Sequence, residues 1–260
     1  MTAPLMQKEA DHMSDQGNRY TYDGTFEGYL CAVLAALRSG KVPASITDRR
    51  LIEDRPDAVF DDAINIPTSM KDAQYLYSMI STRSSAEVQQ MASDYFLTDA
   101  RGLEINLYKM IFCSLKYGAC VAEDYSSEMM NGIQMAIRDL YREAQTTFKE
   151  LDFYLGEEAA CVVINPRNSI LPLIRKSILK RRDIDDLIVY DKRHHLLLER
   201  YSDQNMLLDI SDFPIPDFGN PKEAYDCLWP FVRDKRFDVR IIPGQKKSGS
   251  AIEPLWLKAS

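Results

Sequence analysis

The segment from Ala159 to Ile210 constrains the fold most, because its hydrophobic period switches from strand-like to helical and back with almost no linker between. Ala160–Ile164 (ACVVI) is a short apolar run with β-branched residues, which predicts a buried strand. Asn165–Ser169 (NPRNS) reads as a turn into a helix that Asn168 or Ser169 caps, with Pro172 tolerated in the first turn. Ile170, Leu171, Ile174 and Ile178 recur at helical spacing and supply its buried face. Arg175, Lys176, Lys180, Arg181 and Arg182 crowd its remaining surface and C-terminal end. Leu187–Tyr190, Leu196–Tyr201 and Met206–Ile210 then read as strands joined by tight turns.

The residues before this segment follow another rule. Arg19–Tyr22 is a short strand stopped by Asp23-Gly24, and Thr25 caps a helix whose Phe26, Tyr29, Leu30, Val33, Leu34 and Leu37 share one face, with Gly40 as the stop. From Lys41 to Thr68 the pattern dissolves into an irregular connection, with strand-like pieces only around residues 63–66. Helical spacing returns after Ser69, after a Ser84/Glu87 capping box, over Leu103–Lys116 and over Ser127–Glu150. Lys222–Phe237 reads as a closing helix and Val239–Ser260 as a less regular tail. The expected class is therefore α+β: a helical N-terminal layer packed with a small, mostly antiparallel sheet and a closing C-terminal helix. The expected divisions are a flexible tail over 1–18, a mainly helical part over 19–155 and a sheet part over 156–260.

Charge and cysteine usage narrow the function classes. No apolar run approaches the roughly 20 residues that span a bilayer, and the polar, acidic start holds no signal-peptide core, so a cytoplasmic protein is expected. The five cysteines are odd in number and form no C-x-x-C pair, which predicts reduced core thiols and neither metal nor cofactor. The net charge of −7 argues against nonspecific nucleic-acid binding. That acidity is uneven: residues 1–150 hold 15 Lys and Arg against 22 Asp and Glu, whereas residues 151–260 hold 17 of each.

Two places bear chemistry. Asp191, Lys192, Arg193, His194 and His195 set a carboxylate, two cations and two imidazoles between strands, a set able to orient a phosphate or move a proton, with Asp191, His194 and His195 as catalytic candidates. The same residues also make an ordinary polar turn. Arg167 and Asn168, just before the basic helix, are placed to hold a phosphate at its N-terminal N–H groups, and Arg175, Lys176, Lys180, Arg181 and Arg182 extend that surface with Lys192 and Arg193. No nucleophile elbow, Walker A loop, G-x-G-x-x-G or H-E-x-x-H is present. A chain with no catalytic activity of its own is the expectation, with an enzyme or a purely protein-binding module as the alternatives.

Four blocks, in order, carry a resemblance: Tyr22–Gly28 (YDGTFEG), Gly102–Tyr108 (GLEINLY), Ile164–Leu173 (INPRNSILPL) and Val189–Arg193 (VYDKR). They resemble a bacterial family labelled "probable DNA metabolism protein", whose members are encoded beside a radical-SAM protein and whose domain also occurs fused to proteins of the uracil-DNA glycosylase superfamily. The resemblance covers about Tyr20 to Phe237. It implies an accessory role in DNA metabolism or repair, with a radical-SAM protein as partner and DNA as a second contact. One departure bears on DNA: relatives carry a basic, aromatic stretch resembling H-[KR]-F-x-G-F-x-R-F-R-E, where this chain has Gln145–Tyr154 (QTTFKELDFY).

Overall fold

The computed structural model describes residues 17–53, 62–124, 127–155, 161–179, 186–201, 204–213, 215–218, 221–233 and 240–242. Their contacts divide the chain into two compact units, one up to Ile137 and one from Arg138. The fold mixes helix and sheet, the α+β class expected.

In the first unit, β1 (Arg19–Tyr22) lies between β2 (Ser45–Asp48) and β3 (Ile64–Asn65), and both pairings are parallel. Tyr20, Thr21 and Tyr22 are buried in succession, as expected of a strand covered on both faces. β2 falls inside the stretch expected to be irregular. Ser-Ile-Thr-Asp holds one apolar residue, so pairing with β1 makes it a strand where local pattern does not. The helices α1 (Phe26–Ser39), α2 (Arg49–Glu53), α3 (Met70–Arg83), α4 (Ala86–Phe96) and α5 (Leu103–Tyr117) complete the unit together with the start of α6 (Glu128–Leu155). Tyr29, Leu30, Ala32 and Val33 on α1 are fully buried, and the rings of Tyr22, Phe26, Tyr29 and Phe96 meet within 6.5 Å.

The caps fall one residue away from expectation in one place. Ser84 ends α3 by donating its N–H to Ile80, and Ser85 caps α4 by accepting the Val88 N–H at 3.2 Å. Thr25 caps α1 as expected, accepting the Gly28 N–H at 2.8 Å. The YDGTFEG block is a strand-to-helix corner. Asp23 accepts the Thr25 N–H at 3.0 Å and the Thr68 hydroxyl at 2.9 Å, while Arg50 pairs with Asp48 and donates to the Gly24 carbonyl. Gly24 sits at φ 77°, and a Cβ there would overlap the Arg50 guanidinium.

The second unit holds β4 (Cys161–Ile164), β5 (Asp186–Asp191), β6 (Leu196–Tyr201), β7 (Gln204–Asp209) and β8 (Arg240–Ile242), hydrogen-bonded in that order. β4 and β5 are parallel, joined through α7 (Leu171–Leu179), and the remaining pairs are antiparallel, so the sheet is mostly antiparallel as expected. β8 is a strand within the tail expected to be less regular, and α6 runs to Leu155, past Glu150. α8 (Pro221–Arg233) is the closing helix, placing Ala224 and Leu228 against Cys161, Ile188, Tyr190, Leu197, Leu208 and Ile210. No helix among the described residues is long and apolar enough to cross a membrane.

Candidate functional site

Because β4 and β5 run parallel, both point their carboxyl ends to one edge of the sheet, and the Lys192 N–H donates to the Ile164 carbonyl at 2.9 Å to tie those ends together. That edge is where ligands meet open α/β sheets. It collects residues from two separate segments: Arg167 and Asn168 after β4, and Asp191, Lys192, Arg193, His194 and His195 around the end of β5.

Asp191 organises the turn between β5 and β6. It is 0% exposed, and its Oδ1 accepts the N–H groups of Arg193 and His194, both at 3.1 Å. Its Oδ2 lies 2.8 Å from His194 Nδ1. A short polar side chain that binds the backbone two and three residues on is the chemistry of an Asx turn, so the carboxylate shapes the hairpin. His195 takes φ 53°, closing the turn, with Nδ1 3.2 Å from the Tyr190 hydroxyl and its carbonyl accepting the Ile210 N–H. Burial pushes the Tyr190 hydroxyl up to about 12. The Asp191–His194 contact orients an imidazole, as an Asp–His pair does in general-base sites. The hydrogen bonds of this turn bring no serine or cysteine nucleophile to His194 among the described residues.

The phosphate cradle expected before α7 is already filled by an internal anion. Glu143, on α6, accepts the N–H groups of Arg167 at 2.6 Å and Asn168 at 2.9 Å, and the Asn168 side-chain amide at 2.6 Å. The burial of Glu143 favours its neutral form, yet these donors and the Arg167 charge outweigh it and hold the carboxyl below the usual carboxylate range. The two backbone donors offered to a phosphate by the sequence are therefore occupied. Glu143 stands 24 residues before Arg167, and its sequence surroundings mark only the polar face of a helix.

The basic helix is also rearranged. Arg175 is 4% exposed, so it lies in the interior and does not crowd the surface as expected, and burial pulls its guanidinium below its ordinary value. Its place is set by helical spacing: it follows Ile174 on a short helix packed on β6, where the buried arc takes in one more residue than the apolar pattern marks. Lys176 is exposed. Lys180, Arg181 and Arg182 lie outside the described residues. The exposed Arg167 guanidinium lies 4.0 Å from Asp139, and Lys192 pairs with Asp217, another partner the sequence did not reveal. No group of three or more His, Cys, Asp or Glu able to hold a metal occurs among the described residues.

No protein-family model matches this chain, and no curated protein or solved structure matches it.

Proposed function

We propose that this chain is an accessory protein without catalytic activity of its own, acting in DNA metabolism or repair beside a radical-SAM enzyme, and that it meets that enzyme at the β4–β5 loop end. The pathway comes from the four sequence blocks. What supports the surface is the gathering of three exposed cations, Arg167, Lys192 and Arg193, from two segments onto one sheet edge. Protein contact is favoured over DNA contact. Asp139 beside Arg167 and Asp217 beside Lys192 weaken the continuous positive field that phosphate binding needs, while leaving a mixed-charge rim suited to a protein partner.

Co-purification from the native host tests this, using the wild type and the triple variant Arg167→Glu, Lys192→Glu, Arg193→Glu, with bound protein and nucleic acid both identified. The reading expects a radical-SAM protein on the wild type and its loss from the folded variant. Retention of DNA in place of any such protein would reject protein contact as the primary role. A second reading, an enzyme using His194, rests on the 2.8 Å Asp191–His194 contact. Unchanged activity of a reconstituted system after His194→Ala and His195→Ala would remove it.

A further inference from the structure

A cavity of about 410 Å³ opens in the first unit, lined by residues of α4, α5, the turn after it and the start of α6. Its size falls within the roughly 300–1,000 Å³ of small-molecule sites. None of its lining residues belongs to the β4–β5 loop end, so it stands independently of the function proposed there.

Two cations line this cavity, Arg101 and Lys109. Asn106 and Lys109 follow each other at helical spacing along α5, with Arg101 just before the helix. Neither Arg101 nor Lys109 enters an ion pair among the described residues, whereas Arg38, Arg50 and Arg142 each reach a carboxylate within 3.0 Å. Asp124 and Glu128 line the same cavity, and no ion pair joins either of them to Arg101 or Lys109 among the described residues. Glu128 occupies the first turn of α6, where a carboxylate complements the helix's positive end, and Ser127 caps that turn by accepting the Met130 N–H at 3.4 Å. Glu128 thus complements the helix start, while Arg101 and Lys109 line the cavity with no ion pair among the described residues.

A second observation concerns shape. Gly132 lines the same cavity from within α6, and a Cβ built on it would meet nothing within 4 Å. Glycine inside a helix lowers its stability relative to alanine. Here no neighbour demands a glycine, and its missing side chain leaves that part of the lining open.

We infer that this cavity binds a small organic anion, with its carboxylate or phosphate against Arg101 and Lys109 and its apolar body against Met129 and Met130. The test uses the full chain at low ionic strength with benzoate and phenyl phosphate as probes and benzyl alcohol as the uncharged control, read by calorimetry and by thermal midpoint. Saturable binding of at least one anion, absent for benzyl alcohol, is expected. Stronger binding of phenyl phosphate assigns a phosphate ligand, and the reverse order a carboxylate. Arg101→Ala and Lys109→Ala should each weaken binding at least tenfold. Gly132→Leu should abolish it with the thermal midpoint of the free protein retained, which separates a filled cavity from a damaged fold. Failure of both anions to bind saturably, or undiminished binding in the two cation variants, overturns the inference.

Discussion

Two glutamates in the second unit, Glu143 at the corner before α7 and Glu199 on the face of the sheet, meet opposite environments. Glu143 is half-buried with three N–H donors on its carboxylate. Glu199 is 2% exposed, in the cross-strand row Cys161–Ile188–Glu199–Met206, and no donor reaches its Oε2 among the described residues. The donors hold Glu143 below the usual carboxylate range despite its burial, while burial pushes Glu199 up to about 7. Depth alone does not decide the charge of a carboxyl group; the donors pointed at it do.

The contrast is broken most strongly at Glu199. Its folded value lies above its unfolded one, so the folded chain holds the proton longer, and stability is fully present below the unfolded value and falls as pH rises toward about 7. A displacement of that size corresponds to about 3 kcal/mol. Glu199→Leu should remove this loss and leave the variant more stable than the wild type at pH 8 by an amount of that order, measured by urea unfolding at pH 4.5, 6 and 8. Parallel pH profiles for the two proteins would show that Glu199 binds its proton equally well in the folded and unfolded states.

Glu143 should respond with the opposite sign. Its lowered folded value means that its contribution is present above the unfolded value and is lost as pH falls through the folded one. Glu143→Ala strands two backbone donors and one amide, which should cost about 2 kcal/mol at pH 7, given about 1.5–3 kcal/mol for hydrogen bonds to a charged group. The difference from wild type should shrink toward pH 3 in the same unfolding series. A cost independent of pH would mean that the helix, and not the carboxylate, holds the corner.

What could be read from the residues alone divides along the same line. The Asp23 corner was legible because its pieces lie within a few positions: Asp23-Gly24 announces the turn, and Thr25 caps the helix it starts. The strands at 187–201 and the helix at 171–179 were legible from their apolar period. β2 and β8 were not, since Ser-Ile-Thr-Asp and Arg-Ile-Ile become strands by pairing with partners far along the chain. The occupied phosphate cradle was illegible for the same reason. Arg167 and Asn168 look like anion ligands in sequence, and the anion they hold comes from a helix 24 residues away. Arg175 looks like surface because arginine usually is, and its burial depends on how α7 lies on β6.

The smallest effect asks whether the corner is one network. Asn168 is 2% exposed, and its side-chain amide donates to Glu143 at 2.6 Å while its backbone N–H donates to the same carboxylate. Asn168→Ala leaves the backbone donors in place and removes the amide's bond to Glu143, which is worth about 1 kcal/mol in the wild type. In a chain already bearing Glu143→Ala the amide has lost that acceptor, so truncating it should cost less by that bond, giving a coupling energy of about 1 kcal/mol from the four unfolding curves. The magnitude is modest because the Glu143 carboxylate is only half-buried and water compensates part of what is removed. An equal cost in both backgrounds would place the amide's contribution elsewhere. It would then be the two backbone N–H groups of Arg167 and Asn168, with the Arg167 charge, that set Glu143 apart from Glu199.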